Sequence, residues 1–466
     1  MAIRIFHHYW QLPLVLLAVA EAGIAFGAVY LSATLRFGPD FYSNTGAGEW
    51  LYRATLFTGA MFVTAAAVGL YSSRQRSRLA GLLARLAAAM CAAIVFVAVM
   101  SYLFPDLAFG RGVLLLAATL AFFGSTVVRV AFDRLVDENV FKRRVLIYGA
   151  GKRAASIVRL RRRSDRRGFF VVGYLAADGD DVSAVPEEER RDASRGMLQL
   201  CEKYSVDEIV VAMDDRRVSF PMEELLECRL EGVEVTELIT FLERETGKVR
   251  LDVLNPSWMI FSEGFRQGRM YSAAERILDI LASLLLLVLT LPVMLFTAVA
   301  IKIEEGLTAS ILYGQVRVGQ YGRPFKLLKF RSMRENAESD GKARYAQTND
   351  PRVTRIGSFI RKVRIDELPQ IINVLRGHMS FVGPRPERPE FVSHLNERVP
   401  YYRERHAVKP GITGWAQLCY PYGSSEQDSI EKLQYDLYYV KNHSPLFYLA
   451  IVVQTVEVVL WRKGSR

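Results

Sequence analysis

ERILDILASLLLLVLTLPVMLFTAVAIKIEEG, residues 275–306, is an apolar run with Pro292 close to its centre. A run of this length reads first as a straight spanning helix. Proline inside a helix deletes a backbone hydrogen bond and bends the axis, so a hairpin-like entry and exit fits as well. The flanks decide between the two. Upstream lies an α/β stretch and downstream a basic, polar one, and a full span would leave them on opposite sides of a membrane.

Further upstream, four apolar segments at 12–35, 52–71, 80–104 and 112–132 each approach the roughly 20 residues that cross a bilayer. Arg74, Arg76 and Arg78 lie between the second and third, and Lys142, Arg143 and Arg144 follow the fourth. The other loops are poorer in charge or mixed, with Asp40, Glu49 and Arg53 in one and Asp106 and Arg111 in the other. The positive-inside rule therefore places both ends of this four-helix bundle in the cytoplasm. The first segment is too long for the apolar core of a cleaved signal peptide, and its removal would export the basic domain, so it is an anchor. No charged pair is expected deep in these helices, of the kind a transport pathway requires.

From Lys142 the pattern becomes α/β. RRVLIYGAGKRAASIVRLRRR reads as strand, glycine turn and helix, with Gly149, Gly151 and Ala154 in a G-x-G-x-x-A arrangement. Further strands are predicted at 169–176, 206–213 and 233–238, giving a Rossmann-like open sheet. The turn fits nucleotide or nucleotide-sugar binding, or close strand–helix packing alone. Asp178, Asp180 and Asp181 fall beyond the position of a ribose-binding acid. Residues 239–270 show no clear period.

Of the 466 residues, 51% are hydrophobic, and the formal net charge is +11. The first figure points to membrane segments. The second fits nucleic acid, anionic lipid or phosphorylated substrates, and without a nucleic-acid-binding motif the phosphates of lipids and nucleotide sugars are the better partners. Cys91, Cys201, Cys228 and Cys419 form no metal-ligand spacing or CxxC pair. They read as free thiols that pack as small apolar residues.

The chemistry is placed in RKVRIDELPQIINVLRGHMSFVGPRP, residues 361–386, where Asp366 and Glu367 sit within a basic and apolar run. Arg352, Arg355, Arg361, Lys362 and Arg364 precede the pair, and Arg376, Arg385 and Arg388 follow it, a cationic frame for a polyanion. Ile360, Val363, Leu368, Ile372 and Leu375 fit one helix face. Pro369 is tolerated only in a first turn, so Asp366 is placed near a helix N-terminus, with Gly377 ending that helix. Upstream, 311–333 alternates like paired strands around Gly319 and Gly322 and presents Arg317, Lys326, Lys329 and Arg331. At the other end, 446–464 is apolar but short for a span, and reads either as a helix against the membrane, with Trp461, Arg462 and Lys463 at the interface, or as a core helix.

GQVRVGQYGRPFKLLKFRSM (314–333), DPRVTRIGSFIRKVRIDELPQIINVLRGHMSFVGPRP (350–386) and KPGITGWAQ (409–417) together resemble the bacterial sugar transferases, also called polyprenyl-phosphate hexose-1-phosphate transferases or monotopic phosphoglycosyl transferases. The whole chain looks like the long form used in exopolysaccharide assembly. Two departures stand out. Ala309, Ser310 and Ile311 replace the family's usual Gly-Pro ahead of Tyr313, and Arg364 replaces a frequent serine or threonine.

The resemblance implies a membrane protein of α and α/β class. Four transmembrane helices occupy 1–140, the Rossmann-like domain 141–250 and a linker 251–270. The catalytic domain, 271–466, carries a re-entrant helix, 273–305, broken at Pro292, with Arg276 and Asp279 ahead of the break. It implies transfer of a hexose-1-phosphate from a UDP-sugar to polyprenyl (undecaprenyl) phosphate, releasing UMP, at the bacterial inner membrane with the soluble domains in the cytoplasm. Asp366 is then the nucleophile and Glu367 holds Mg2+. Lys329, Arg331, Arg352 and Arg385 bind substrate phosphate, Gly411 and Gly414 are structural turn glycines, and the chain is a homodimer. Two other classes stay open at this level: a nucleotide-sugar oxidoreductase using the Gly149 turn, and a non-catalytic membrane scaffold. The residues do not specify the sugar.

Overall fold

The computed structural model describes residues 2–5, 8–38, 47–68, 70, 71, 79–135, 142–160, 163–166, 168–192, 196–215, 217–262, 264, 265, 268–334, 352–420, 423 and 425–461. Asp40, Arg74, Arg76, Arg78, Asp350, Arg462 and Lys463 lie outside them, as do the side chains of Glu49 and Trp461. The chain forms two compact units, the first Met1–Trp258 together with Val456–Trp461 and the second built on Met259–Thr455.

The first unit opens with a short antiparallel hairpin, β1 (Ala2–Ile5) and β2 (His8–Gln11). Four helices follow, α1 (Leu12–Phe37), α2 (Ala47–Ala67), α3 (Leu79–Leu103) and α4 (Arg111–Leu135). Val15–Phe37, Gly81–Leu103 and Arg111–Phe132 are long and apolar enough to cross a membrane. The 21-residue α2 is not in that set, because Arg53 and three threonines lower its hydropathy. Ala25, Ala28, Ala33, Ala93, Ala117 and Ala121 are buried at the bundle's centre, where small side chains let helix backbones approach.

The structure corrects the expectation that no charged pair lies deep in these helices. Glu21 and Arg129, 2% and 6% exposed, form a two-armed ion pair, with Arg129 Nη2 donating to Glu21 Oε2 at 2.6 Å. The Tyr71 hydroxyl donates to the same carboxylate, while Arg129 and Arg85 donate to the carbonyls of Leu70 and Val68. The Glu21 and Arg129 charges are thus matched, and Arg85 is hydrogen-bonded, where the second helix gives out.

A five-stranded parallel sheet follows, built from β3 (Arg143–Tyr148), β4 (Phe169–Leu175), β5 (Arg190–Arg191), β6 (Glu208–Val211) and β7 (Glu234–Glu237), in the order β5-β4-β3-β6-β7. Val145, Leu146 and Ile147 of the central strand are fully buried, the continuous apolar run that a parallel sheet covered on both faces requires. Four predicted strands fall where the pattern placed them, and the two-residue edge strand β5 is additional. Part of the stretch without a clear period is helical, Leu238–Thr246, with Phe241 and Leu242 fully buried and Arg244 paired with the buried Glu208.

The second unit is organised on a 37-residue helix, Arg269–Glu305, that contains Pro292. At about 1.5 Å per residue it is about 55 Å long, well beyond a hydrocarbon core of about 30 Å. Met270–Glu305 is the fourth segment able to cross a membrane. The helix assignment continues through Pro292 without interruption. Leu285, Val288, Leu289, Phe296 and Val299 are exposed along it, whereas Asp279, Ser283, Thr297 and Ile301 are buried. Its far end is anchored by Glu304, whose carboxylate accepts from the N–H groups of Arg355 and Ile356 at the start of helix Arg355–Lys362, where negative charge is favoured.

The alternating stretch after this helix is an antiparallel hairpin, Leu312–Val318 with Pro324–Phe330. A short parallel pair, Ser380–Val382 with Gly411–Thr413, lies deeper. Gly411 and Gly414 have no positive φ, so they are not turn glycines in the expected sense. A Cβ on either would strike the backbone of Gly383, and they serve close passage of two chains. The terminal helix Pro445–Trp461 buries Phe447, Tyr448 and Ile451, which makes its first half a core helix. Phe447 packs against Trp415, Tyr438 and Tyr439.

Candidate active site

The apolar positions of 360–375 that fit one helix face lie in three pieces, with a new helix starting after Pro369 and ending before Gly377 as expected. Helix Arg355–Lys362 is capped by the Thr354 hydroxyl, which accepts from Gly357 N. Arg364 then takes a left-handed conformation, φ 58°, and starts a 3-10 turn, Ile365–Glu367, that carries both carboxylates. Pro369 precedes helix Gln370–Leu375, and Gly377, φ 80°, follows it. Non-glycine residues in the left-handed region cost of order 1–3 kcal/mol and persist where surroundings impose them. Here Arg364 turns the chain so that Asp366 is buried, 8% exposed, while its own side chain stays half exposed.

The two acids meet different surroundings. Glu367 Oε1 accepts from Arg385 Nη2 at 2.9 Å and from Lys329 Nζ at 3.4 Å, and Oε2 faces Arg364 Nη1 at 3.4 Å. Burial alone would raise its pKa, but Arg385, Lys329 and Arg364 together overcome this and hold it well below the usual carboxylate range. No such ion pair joins Asp366 to a described residue. Its pKa is raised by burial, offset in part by the Lys329 ammonium and raised further by the charge of Glu367. Burial in turn lowers the pKa of Lys329, against the pull of Glu367. The result is one carboxylate locked as a counter-ion beside a second that takes no ion pair from the described residues, in a frame with more cations than acids.

Packing that the sequence did not reveal holds this frame. Asn373, 1% exposed, accepts from Leu328 N and donates to Lys326 O, fastening the dyad's following helix to the strand that bears Lys329. Arg276 donates to the carbonyls of Val374 and Leu375 at 2.6 Å each, capping that helix's C-terminus. Asp279 accepts from the Ser380 hydroxyl, Phe381 N and the Tyr448 hydroxyl. Arg405, paired with the buried Asp436 at 2.8 Å, donates to the carbonyl of Arg385 at 3.0 Å. The family resemblance had marked Arg276 and Asp279 ahead of the proline, whereas for Asn373 and Asp436 the only sequence signal was a polar group inside an otherwise apolar run, and Arg405 sits unmarked in a charged stretch.

Among the residues expected to bind phosphate, Lys329 and Arg385 converge on Glu367. Arg331 and Arg352 are not among the side chains paired with it; Arg331 N donates to Ile311 O, and Arg352 O accepts from Arg334 N. Gly149, Gly151 and Ala154 belong to the other unit, in the loop after the central strand. Gly149, φ 128°, lies 2.5 Å from the Ala212 carbonyl measured from where a Cβ would stand.

A carboxylate without an ion pair among the described residues, beside an excess of cations, suits a phosphorylated ligand that arrives with its own negative charge. Residues 270–462 match the family model described as bacterial sugar transferase, and residues 66–218 match one described as CoA-binding domain. The chain belongs to the bacterial sugar transferase family. A UDP-glucose:undecaprenyl-phosphate glucose-1-phosphate transferase of Klebsiella pneumoniae is 32% identical over 335 residues, 70% of this chain and 69% of the relative. A UDP-N-acetylgalactosamine-undecaprenyl-phosphate N-acetylgalactosaminephosphotransferase of Aeromonas hydrophila is 40% identical over 261 residues, 56% of this chain. A UDP-glucose:undecaprenyl-phosphate glucose-1-phosphate transferase of Escherichia coli K12 is 42% identical over 193 residues, 41% of this chain. The chain spans 60% and 40% of the length of these last two relatives.

Proposed function

We propose that the protein transfers a hexose-1-phosphate from a UDP-sugar to undecaprenyl phosphate in two displacements at Asp366. The observation that carries this reading is the asymmetry of the dyad: Glu367 is held by three cations, while Asp366 is buried, unpaired among the described residues and less acidic than an ordinary carboxylate. An Asp366 oxygen attacks the sugar-linked phosphorus of the UDP-sugar. The bond from that phosphorus to the bridging oxygen breaks, and UMP leaves with the electron pair. A phosphate oxygen of the lipid then attacks the same phosphorus and returns Asp366 as carboxylate, giving the polyprenyl diphosphosugar. Lys329 and Arg385 offset the charge that develops on phosphate. The relatives named above differ in their sugars, so the reading extends to the UDP-hexose class.

Magnesium is part of this proposal. Among the described residues no three His, Cys, Asp or Glu side chains converge, and the donors these residues offer beside the substrate's phosphates are the dyad, the kind of set Mg2+ accepts. Glu367 fits through Oε2, whose single ion-pair contact among the described residues is at 3.4 Å to half-exposed Arg364, whereas Oε1 takes both Arg385 and Lys329. Bound there, the ion would neutralise phosphate charge in both displacements.

The location completes the reading: the inner membrane, soluble parts in the cytoplasm, and Arg269–Glu305 re-entrant at Pro292. A helix far longer than the hydrocarbon core, with proline inside it, supports this. Cysteines replacing Gly268 and Arg323 are expected to react only from the cytoplasmic face, and labelling of one from outside would show a full span. Assembly as a homodimer belongs to the same proposal and is read by crosslinking in membranes. For the reaction itself, purified protein given UDP-sugar and undecaprenyl phosphate is expected to release UMP and form lipid-linked sugar. Reduction of a nicotinamide cofactor by the UDP-sugar without UMP would replace this reading with an oxidoreductase.

A further inference from the structure

The glycine-rich turn of the first unit and its family description both point to a nucleotide or coenzyme A ligand, and the residues present do not fit one. We infer that Asp180 and Asp214 occupy the phosphate position of the Gly149 turn, so that this unit takes neither coenzyme A nor a dinucleotide there.

In a phosphate-binding turn, the backbone N–H groups after the first glycine point at the ligand and the following helix adds its dipole. Here three of those donors are already taken. Ala150 N donates to Asp180 Oδ2 at 2.7 Å, Lys152 N to Asp214 Oδ2 at 2.9 Å and Arg153 N to Asp214 Oδ1 at 2.8 Å. The two acids are themselves fixed: Asp214 N donates to Asp180 Oδ1 at 3.0 Å, and Ala177 N to Asp180 Oδ2 at 3.2 Å. All four carboxylate oxygens are used.

The shape of the turn agrees. A Cβ on Gly151 would run into the Asp214 carboxylate, so the space a pyrophosphate uses for close backbone approach is filled by this side chain. The helix that should supply the dipole is four residues long, Ala155–Val158, too short for a useful partial charge. An incoming phosphate would meet two fixed negative charges and gain no unoccupied donor from Ala150, Lys152 or Arg153. The sheet order explains the arrangement. Asp180 follows β4 and Asp214 follows β6, the two neighbours of β3, so both acids arrive at the end of the strand that carries the turn. The unit is therefore completed by its own side chains, and its sheet is a ligand-independent structural module.

The test uses the full chain in detergent micelles, with coenzyme A and NAD+ as probes, because UDP-sugars also have the catalytic site to bind. Equilibrium dialysis is expected to show neither probe retained. Hydrogen exchange in the ligand-free protein is expected to be slow at the amides of Ala150, Lys152 and Arg153. Asp214→Ala should speed Lys152 and Arg153 by about tenfold or more while sparing Ala150, which Asp180 holds. Should that variant unfold the domain, Asp214→Asn keeps the shape and retains one acceptor oxygen, so one of the two amides should quicken. Stoichiometric retention of either probe with added protection at these amides overturns the inference, as does fast exchange there in the unliganded wild type. Neither outcome depends on the reaction proposed for Asp366.

Discussion

The Gly149 turn and the Asp366–Glu367 turn are the two places in this chain that promise to handle phosphate, and they solve the charge problem in opposite ways. In the first, backbone donors that could hold an anion are met by Asp180 and Asp214. In the second, Lys329, Arg364 and Arg385 converge on a single carboxylate and no ion pair from a described residue reaches Asp366. A glycine motif therefore marks a backbone shape, whereas a ligand site also requires that the charge balance be left incomplete.

The contrast is sharpest at Asp366. Asp366→Asn is expected to lower turnover by about 10⁴-fold or more, and to leave stability unchanged or raised at neutral pH. Its raised pKa means that its contribution to stability is full below the ordinary carboxylate range and lost as pH rises through the folded value, so a neutral side chain removes a cost. Turnover assays and thermal melts of the same preparation check both halves.

Glu367→Gln should behave in the opposite sense, losing about 1–3 kcal/mol of stability because three cations lose their shared counter-ion. The depressed pKa of Glu367 makes its contribution present above the ordinary carboxylate range and lost only as pH falls through the depressed value. Melts of this variant should differ from wild type at neutral pH and converge toward it in strong acid. A Glu367→Gln protein as stable as wild type at pH 7 would erase the distinction between the two acids.

A smaller effect concerns pH. Lys329 lowers the pKa of Asp366 against the burial that raises it, so Lys329→Met should move the acid limb of kcat/KM to higher pH. An unmoved limb would show that another group sets it.

Much of this was legible beforehand, and the exceptions share a cause. The paired strands at 312–330 follow from alternation, and the break ahead of Pro369 follows from proline's missing N–H. The family blocks announced the dyad by their order. What escaped were pairings between distant single residues: Glu21 with Arg129, 108 positions apart; Arg405 with Asp436; and Asn373 with the strand before it. A lone polar residue in an apolar run, or an arginine among other charges such as Arg405, is unremarkable until topology supplies its partner. Asp180 was read against a ribose-binding position and instead caps the turn, because only the strand order brings it and Asp214 to the same place.

The central claim is that the open acid of the dyad forms the covalent intermediate. Protein mixed briefly with a UDP-sugar, without lipid, then quenched and digested, should carry one phosphosugar on the peptide containing Asp366, with fragmentation placing the added mass on that residue. The same mass on Glu367 would reverse the roles assigned to the pair. Multiple turnover with no adduct on either residue would contradict a two-displacement mechanism at this site.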